Sequence, residues 1–366
     1  MRSKMTLKPI AIASLLGLVS CASQNSLKES ALRLQHDIRF YGQFELPSSM
    51  HEVSGAAVIK TQPLTLALVS DDASQEGLNA HYFQVTIGLE PNEKVELKTL
   101  ATQSIAVPPA SVDLEAVAFM SGDSSLLLSS EGAKKAQQAR SELLRVALDG
   151  RVIQKYQYEA QAVAQQRPNK GFEAMAVTVD PSTKEQIVSV INEQAGTQDA
   201  QSKHLVFRQV RLIDSKALAK ELRKTGYALA ATPTKTELGF EPVISDLGVS
   251  EMIAVGPNRF WVLERGYFGN EAVNSFKNTA QIFEIDQTKV VDGFFAKKAI
   301  LNFDSLLPAL KRPPPPVKTL IDNVEALTLV NDPANQRTWL LAFTDDNFSP
   351  RQRSLMYVFL IPNSLL

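Results

Sequence analysis

The chain has 366 residues, 44 % of them apolar and 21 % charged, and a net charge of −1. This is the composition of a soluble globular protein with one large or two ordinary domains, and it excludes recruitment of nucleic acid by a global field. The single cysteine, Cys21, excludes an intrachain disulfide, and four dispersed histidines give no zinc-ligand spacing.

The N-terminus reads as a targeting segment. Arg2, Lys4 and Lys8 make a basic start, and residues 9–20 form an apolar stretch too short to span a bilayer as a mature helix. It closes on Leu18-Val19-Ser20-Cys21, which resembles the bacterial lipobox. The expected organisation is a signal peptide over 1–20, a lipidated tether over 21–37 beginning at Cys21, and one domain over 38–366. Several acyl chains on Cys21 would anchor the protein to a membrane stably. Ala22 follows the cysteine where aspartate favours the inner membrane, so the expected location is the outer membrane, facing the periplasm.

Beyond the tether, residues 39–46 (RFYGQFEL) read as a strand. A short motif then recurs, a glutamate followed by small and apolar residues, at Glu52, Glu115, Glu173, Glu251 and Glu325. A second apolar run ending in acid follows each copy: at Asp71 and Asp72, Glu131, Glu193, Glu264, and Asp345 and Asp346. Short runs rich in Val, Ile, Leu and aromatics, bounded by Gly, Pro, Asp and Asn, are strand signals. They predict strands at 53–59, 64–70, 81–87 and 95–101, then at 115–119, 125–130, 142–148 and 152–158. Asp149-Gly150 marks a tight hairpin between the last two. The third unit gives 173–179, 187–192, 204–212 and an indistinct fourth strand within 222–231, with Ser215–Thr225 (SKALAKELRKT) as a short surface helix in competition. The fourth gives 251–255, 259–264, 280–286 and 297–303, followed by Tyr267-Phe268-Gly269-Asn270 as either a wall of the site or a turn. The fifth, 325–330, 338–343 and 355–361, is one strand short, and strand 39–46 supplies it.

The expectation is an all-β protein, a five-bladed β-propeller whose last blade is closed by the N-terminal strand, with a sixth blade hidden in 205–250 as the alternative. The start of a blade's first strand and the end of its second meet at one face. Glu52, Asp71, Asp72, Glu131, Glu193, Glu251 and Glu264, with Glu115, Glu173, Glu325, Asp345 and Asp346, should therefore ring one mouth of the central channel. Clustered carboxylates raise one another's pKa and call for protons, basic partners or a cation. Lys134, Lys170, Arg265, Arg351 and Arg353 lie close in sequence as partners or as ligands for a substrate phosphate. Oxygen-only donors suit Ca²⁺, with Glu115, Glu173, Glu325, Asp345 and Asp346 as the candidate ligands. The competing reading is that each glutamate caps backbone N–H groups of a neighbouring blade. His51 is a candidate base, set against a histidine bonded to backbone at the start of a strand.

The segments Asn323-Val324-Glu325-Ala326-Leu327, Thr344-Asp345-Asp346-Asn347-Phe348-Ser349-Pro350, Phe172-Glu173-Ala174-Met175-Ala176 and Val262-Leu263-Glu264-Arg265-Gly266 resemble a bacterial family, "esterase-like activity of phytase". The resemblance covers about residues 40–362 and implies a secreted propeller that hydrolyses phosphate or carboxylate esters. Members usually carry Glu-Gly-Leu-Ala where this chain has Glu-Ala or Glu-Met. The expected function is a metal-assisted phosphoesterase acting on a small phosphorylated or ester substrate. A non-catalytic binding scaffold at the membrane is the alternative.

Overall fold

The computed structural model describes residues 32–70, 80–89, 95–108, 112–132, 141–164, 166, 170–194, 204–317, 319–332 and 335–366. The alternating apolar runs form strands throughout. Two precede the repeat, β1 (Leu32–Arg33) and β2 (Arg39–Glu45). Blade 1 is β3 (Val53–Thr61), β4 (Leu64–Ser70), β5 (His81–Gly88) and β6 (Glu96–Ser104). Blade 2 is β7 (Leu114–Met120), β8 (Ser125–Ser130), β9 (Glu142–Ala147) and β10 (Val152–Tyr158). Blade 3 is β11 (Phe172–Val179), β12 (Gln186–Asn192), β13 (His204–Ile213) and β14 (Leu218–Ala228). Blade 4 is β15 (Ile244–Ala254), β16 (Arg259–Asn270), β17 (Ser275–Val291) and β18 (Phe294–Asn302). Blade 5 is β19 (Asn323–Asp332), β20 (Arg337–Asp345) and β21 (Leu355–Ile361), completed by β2, which pairs antiparallel with β21 from Arg39↔Leu360 to Glu45↔Leu355.

Each blade is an antiparallel meander, and the first strands touch one another in cyclic order, β3–β7–β11–β15–β19–β3. The outer strands of blades 2, 3 and 4 also meet edge to edge in parallel. The apolar core is divided among the blade interfaces: five clusters of buried side chains among the described residues each join two neighbouring blades, and together they close the circle. Phe40 from β2 packs on Tyr357 and Phe359 at the seam, so the N-terminal strand is part of the core. Residues 32–37, expected in the tether, also take part: β1 adds to β2, and Leu32 and Leu34 pack on the cluster between blades 4 and 5.

Residues 205–250 hold no sixth blade among their described positions; they carry β13, β14 and the start of β15. The stretch 215–225 is not a surface helix either. After a short 3-10 turn at Asp214–Lys216 it enters β14, which pairs with β13 along its length. Ala219, Thr225 and Tyr227 face inward on β14 while Lys220, Arg223 and Lys224 face solvent, and tertiary pairing overrides helix propensity. Residues 267–270 are not a turn but a continuation of β16, with Phe268 buried and Tyr267 stacked on Phe276. The Asp149-Gly150 hairpin forms as expected, with Gly150 at φ +83 and packed so closely that a Cβ would lie 1.9 Å from the Ser104 carbonyl oxygen.

Candidate functional site

Every first strand carries a β-bulge, near its start in β3, β7, β11 and β19 and past the middle of β15. The unpaired residue is Ser54 in β3, Glu115 in β7, Glu173 in β11, Ser250 in β15 and Glu325 in β19. A bulge re-aims the extra side chain and breaks the strict alternation of the strand. Glu115, Glu173 and Glu325 are therefore structural equivalents. Blades 1 and 4 put serine there, and each hydroxyl donates to the carbonyl that precedes the next blade's bulge: Ser54 to Leu114 at 2.7 Å and Ser250 to Val324 at 3.3 Å. Glu52 lies two residues before its bulge, and Glu251 one residue after. The sequence motif is thus out of structural register in two of its five copies.

The mouth is bound by a belt of polar contacts that crosses all five blades. His51 Nδ1 lies 2.7 Å from Asp346 Oδ2. The adjacent Asp345 accepts from Asn347 N–H at 2.7 Å and from Asn323 Nδ2 at 3.4 Å, and Asn323 also donates to Glu325 Oε1 at 2.7 Å. Arg265 Nη2 reaches Glu325 Oε1 at 3.1 Å and Glu193 Oε1 at 3.2 Å. Lys170 Nζ lies 2.5 Å from Glu193 Oε2 and 3.8 Å from Asp246 Oδ2. Gly171 N–H donates to Glu131 Oε1 and carries the belt into blade 2.

Burial and crowding set the charges here. Glu173 is held well above the ordinary carboxylate range by burial first and then by Glu193, with Arg265 opposing. Glu131 is pushed up to about 8, by burial, then Glu193 and Asp113, against the pull of Gly171 N–H and Lys170. Burial pulls the Lys170 and Arg265 groups down. Glu193, Glu173 and Asp246 beside Lys170, and Glu325, Glu193 and Glu173 beside Arg265, outweigh that and keep both firmly cationic.

Among the described residues, one group of carboxylates has the spacing of a cation site. Oxygens of Asp113, Glu115 and Glu131, all in blade 2, lie within 4.8 Å of one another. Two ligands about 2.3–2.6 Å from a shared Ca²⁺ can be no more than about 5 Å apart, so the spacing fits. The donors are all oxygen, and a cation there would offset the repulsion that raises Glu131. This buried cluster could hold a metal ion. Sequence reading missed Asp113, which stands just before β7, two residues from Glu115, as Asn323 stands two residues from Glu325. That shared offset was the available signal.

The family described as phytase-like, with esterase-like activity of phytase, matches residues 49–348. The chain belongs to this family. No curated protein matches the phytase-like propeller in sequence. Solved structures resemble it at low identity. A thermostable family-43 glycoside hydrolase is 9 % identical, with a TM-score of 0.44 over 87 % of this chain and 91 % of its own. The family-43 endo-arabinanase from Bacillus licheniformis is 11 % identical, with a TM-score of 0.40 over 86 % and 95 %. The RS223 β-xylosidase is 14 % identical, with a TM-score of 0.44 over 86 % and 93 %. None of these likenesses bears on activity.

The phytase-like propeller distributes the remaining expected residues unevenly. Glu173, Glu193, Glu325, Asp345, Asp346, Lys170 and Arg265 gather in the belt with Glu131, and of the five candidate metal ligands only Glu115 is in the cation-spaced trio. Asp345 and Asp346 hold their own turn instead, accepting from Asn347 and Phe348 N–H. Glu251 is buried behind the mouth. It accepts from its own Met252 N–H at 2.8 Å and from backbone N–H of Met175 and Leu327 in the blades on either side, and burial lifts its carboxyl well above the ordinary range. This is the blade-capping role. Glu264 is not at the mouth: it accepts from Tyr227 Oη at 2.6 Å and Ala230 N–H at 2.8 Å and pairs with Lys297, between blades 3 and 4. Strand β16 continues past it, so the pleat turns Glu264 away and its neighbour Arg265 inward. Arg353 is held by buried Asp322 at 2.7 Å and by the Leu320 carbonyl at 3.3 Å, a clamp on blade 5. Arg351 is exposed on the turn that follows β20. Glu52 is buried with its backbone at φ +50. Asp71, Asp72, Lys134 and Cys21 lie outside the described residues.

Proposed function

We propose that this phytase-like propeller is a hydrolase of phosphate esters that uses a divalent cation, Ca²⁺ by its donor set, and is lipid-anchored through Cys21 in the bacterial cell envelope. The observation that supports it is the trio Asp113, Glu115 and Glu131, three carboxylates at ligand spacing beside a belt that also carries cationic side chains. Asp113, Glu115 and Glu131 would hold the ion. When bound, such an ion polarises a phosphoryl oxygen and activates water. Lys170 and Arg265 are held in place by Glu193 on one side of the mouth and orient the negative substrate. Arg351, exposed on the turn that follows β20, offers a further contact for phosphate.

The test is calcium titration by calorimetry on the protein lacking residues 1–21, with melting curves in Ca²⁺ and in chelator, then a phosphoester panel in both. Binding should raise the melting temperature by mass action. Asp113→Asn should abolish that rise. Indifference of the wild type to every divalent cation would reject the reading. For the anchor, Cys21→Ser should release the protein from the membrane fraction and abolish acyl labelling. A second reading, a non-catalytic scaffold at the membrane, is favoured by one observation: Arg265 already neutralises Glu193 and Glu325. It predicts binding without turnover.

A further inference from the structure

We propose that His51 is the proton-transfer residue of the mouth and that Asp346 is its positioning residue, an assignment that rests on the hydrolase reading above. The expected structural role for this histidine was a bond to backbone. Its ring instead lies with Nδ1 2.7 Å from the Asp346 carboxylate. A carboxylate accepts, so Nδ1 carries the hydrogen; in the neutral ring this tautomer leaves the lone pair on Nε2, the form in which imidazole acts as a base. The His51 side chain is 38 % exposed and Asp346 only 10 %, so the positioning carboxylate sits behind a ring that solvent can reach.

Three further contacts fix the geometry. Asp346 Oδ1 accepts from Phe348 N–H at 3.3 Å. The Phe348 ring lies against the imidazole, centroids 5.2 Å apart. Ser70 Oγ donates to the His51 carbonyl at 3.0 Å and pins the backbone of the strand start. The backbone around the pair is strained. Glu52, Asn347 and Phe348 have φ of +50, +47 and +45, and none is glycine. Left-handed backbone at a residue as bulky as phenylalanine costs free energy and persists where surrounding structure imposes it, most often at functional sites. Asp346 belongs to the belt but not to the cation-spaced trio, so the pair and the trio are separate groups.

The step balances without any redox partner. Water oxygen forms the new bond to phosphorus while its proton passes to His51 Nε2. The bond from phosphorus to the ester oxygen breaks on the opposite side, its electron pair leaves on that oxygen, which takes a proton from solvent, and the imidazolium then releases the water's proton to solvent. The products are an alcohol and inorganic phosphate.

The experiment uses the full domain from residue 22, with p-nitrobenzyl phosphate as probe substrate in Ca²⁺. His51→Ala should lower kcat by about 10²–10⁴-fold with KM nearly constant. Free imidazole should restore at least a tenfold part of that loss, which a merely structural histidine would not show. Asp346→Asn can donate to Nδ1, forces the wrong tautomer, and should lower kcat without rescue by imidazole. Diethylpyrocarbonate mapping gives a readout free of turnover: His51 in the wild type should be modified at Nε2, and inorganic phosphate with Ca²⁺ should protect it. Melting curves verify that both variants fold. Full activity of a folded His51→Ala variant, or loss without imidazole rescue, overturns the assignment alone. Absence of any wild-type turnover overturns the hydrolase reading and the catalytic role together.

Discussion

Replacing Arg265 with glutamine removes the cation that joins blade 3 to blade 5. In the wild type its Nη2 sits 3.2 Å from Glu193 Oε1 and 3.1 Å from Glu325 Oε1, with Glu173 also in its field. Breaking a buried pair from one side costs about 3–5 kcal/mol, because the partner charge stays buried. Glu193 keeps Lys170 at 2.5 Å, and Glu325 keeps Asn323 at 2.7 Å, which places the loss at the lower end, near ~3 kcal/mol. For a domain of this size that is a fall of roughly 4–5 °C in melting temperature. The loss depends on pH. Without Arg265 the folded-state pKa of Glu173, already raised, rises further. A carboxyl raised on folding contributes stability that is complete below its unfolded value and disappears as pH climbs through its folded value. The deficit should therefore be smaller at pH 5 than at pH 8. Melting curves of both proteins in chelator at the two pH values measure it. A deficit that is absent, or equal at both, would refute the account of the mouth as a charge belt.

Glu131 gives the wild type its own pH signature. Its carboxyl shifts from an ordinary 4.5 to about 8, so stability in chelator should decline as pH rises across that window, while Glu131→Gln should flatten the curve; urea unfolding at pH 5, 7 and 9 reads this. Glu251→Ala should cost about 2–4 kcal/mol, since it orphans backbone N–H groups of Met175 and Leu327, whereas Glu251→Gln should cost less than half of that. A single methyl at Gly55 would lie 2.9 Å from Ala116 Cα and Val117 N, backbone atoms that cannot give way, so Gly55→Ala should destabilise by about 1–3 kcal/mol in thermal melts. Deletion of residues 1–47 strips β2 from blade 5 and with it Phe40; cooperative unfolding should vanish, while deletion of 1–31 should leave it intact.

The blade count and the closure were legible because each is written in the repeat: five acid-tipped strand pairs, one unit short by a strand, and one orphan strand at the start. The ring of acids was legible in outline for the same reason. What sequence could not show was the bulge. It puts Ser54 and Ser250 where Glu52 and Glu251 were expected, because a one-residue or two-residue offset is invisible when every neighbour is small and apolar. Pleat phase decided between Glu264 and Arg265, and only pairing beyond residue 264 fixes it. Asp113 was hidden by standing outside its strand. Arg353 looked available because its partner, Asp322, is distant in sequence and fully buried.

The residue that follows each bulge is small in blades 1, 2, 3 and 5, Gly55, Ala116, Ala174 and Ala326, and is Glu251 in blade 4. With its carboxyl bound to backbone N–H groups of its own strand and of the strands on either side, Glu251 is a three-way tie between blades 3, 4 and 5. Parting any two of these blades orphans buried N–H groups, so the three should loosen together as one cooperative unit rather than one at a time.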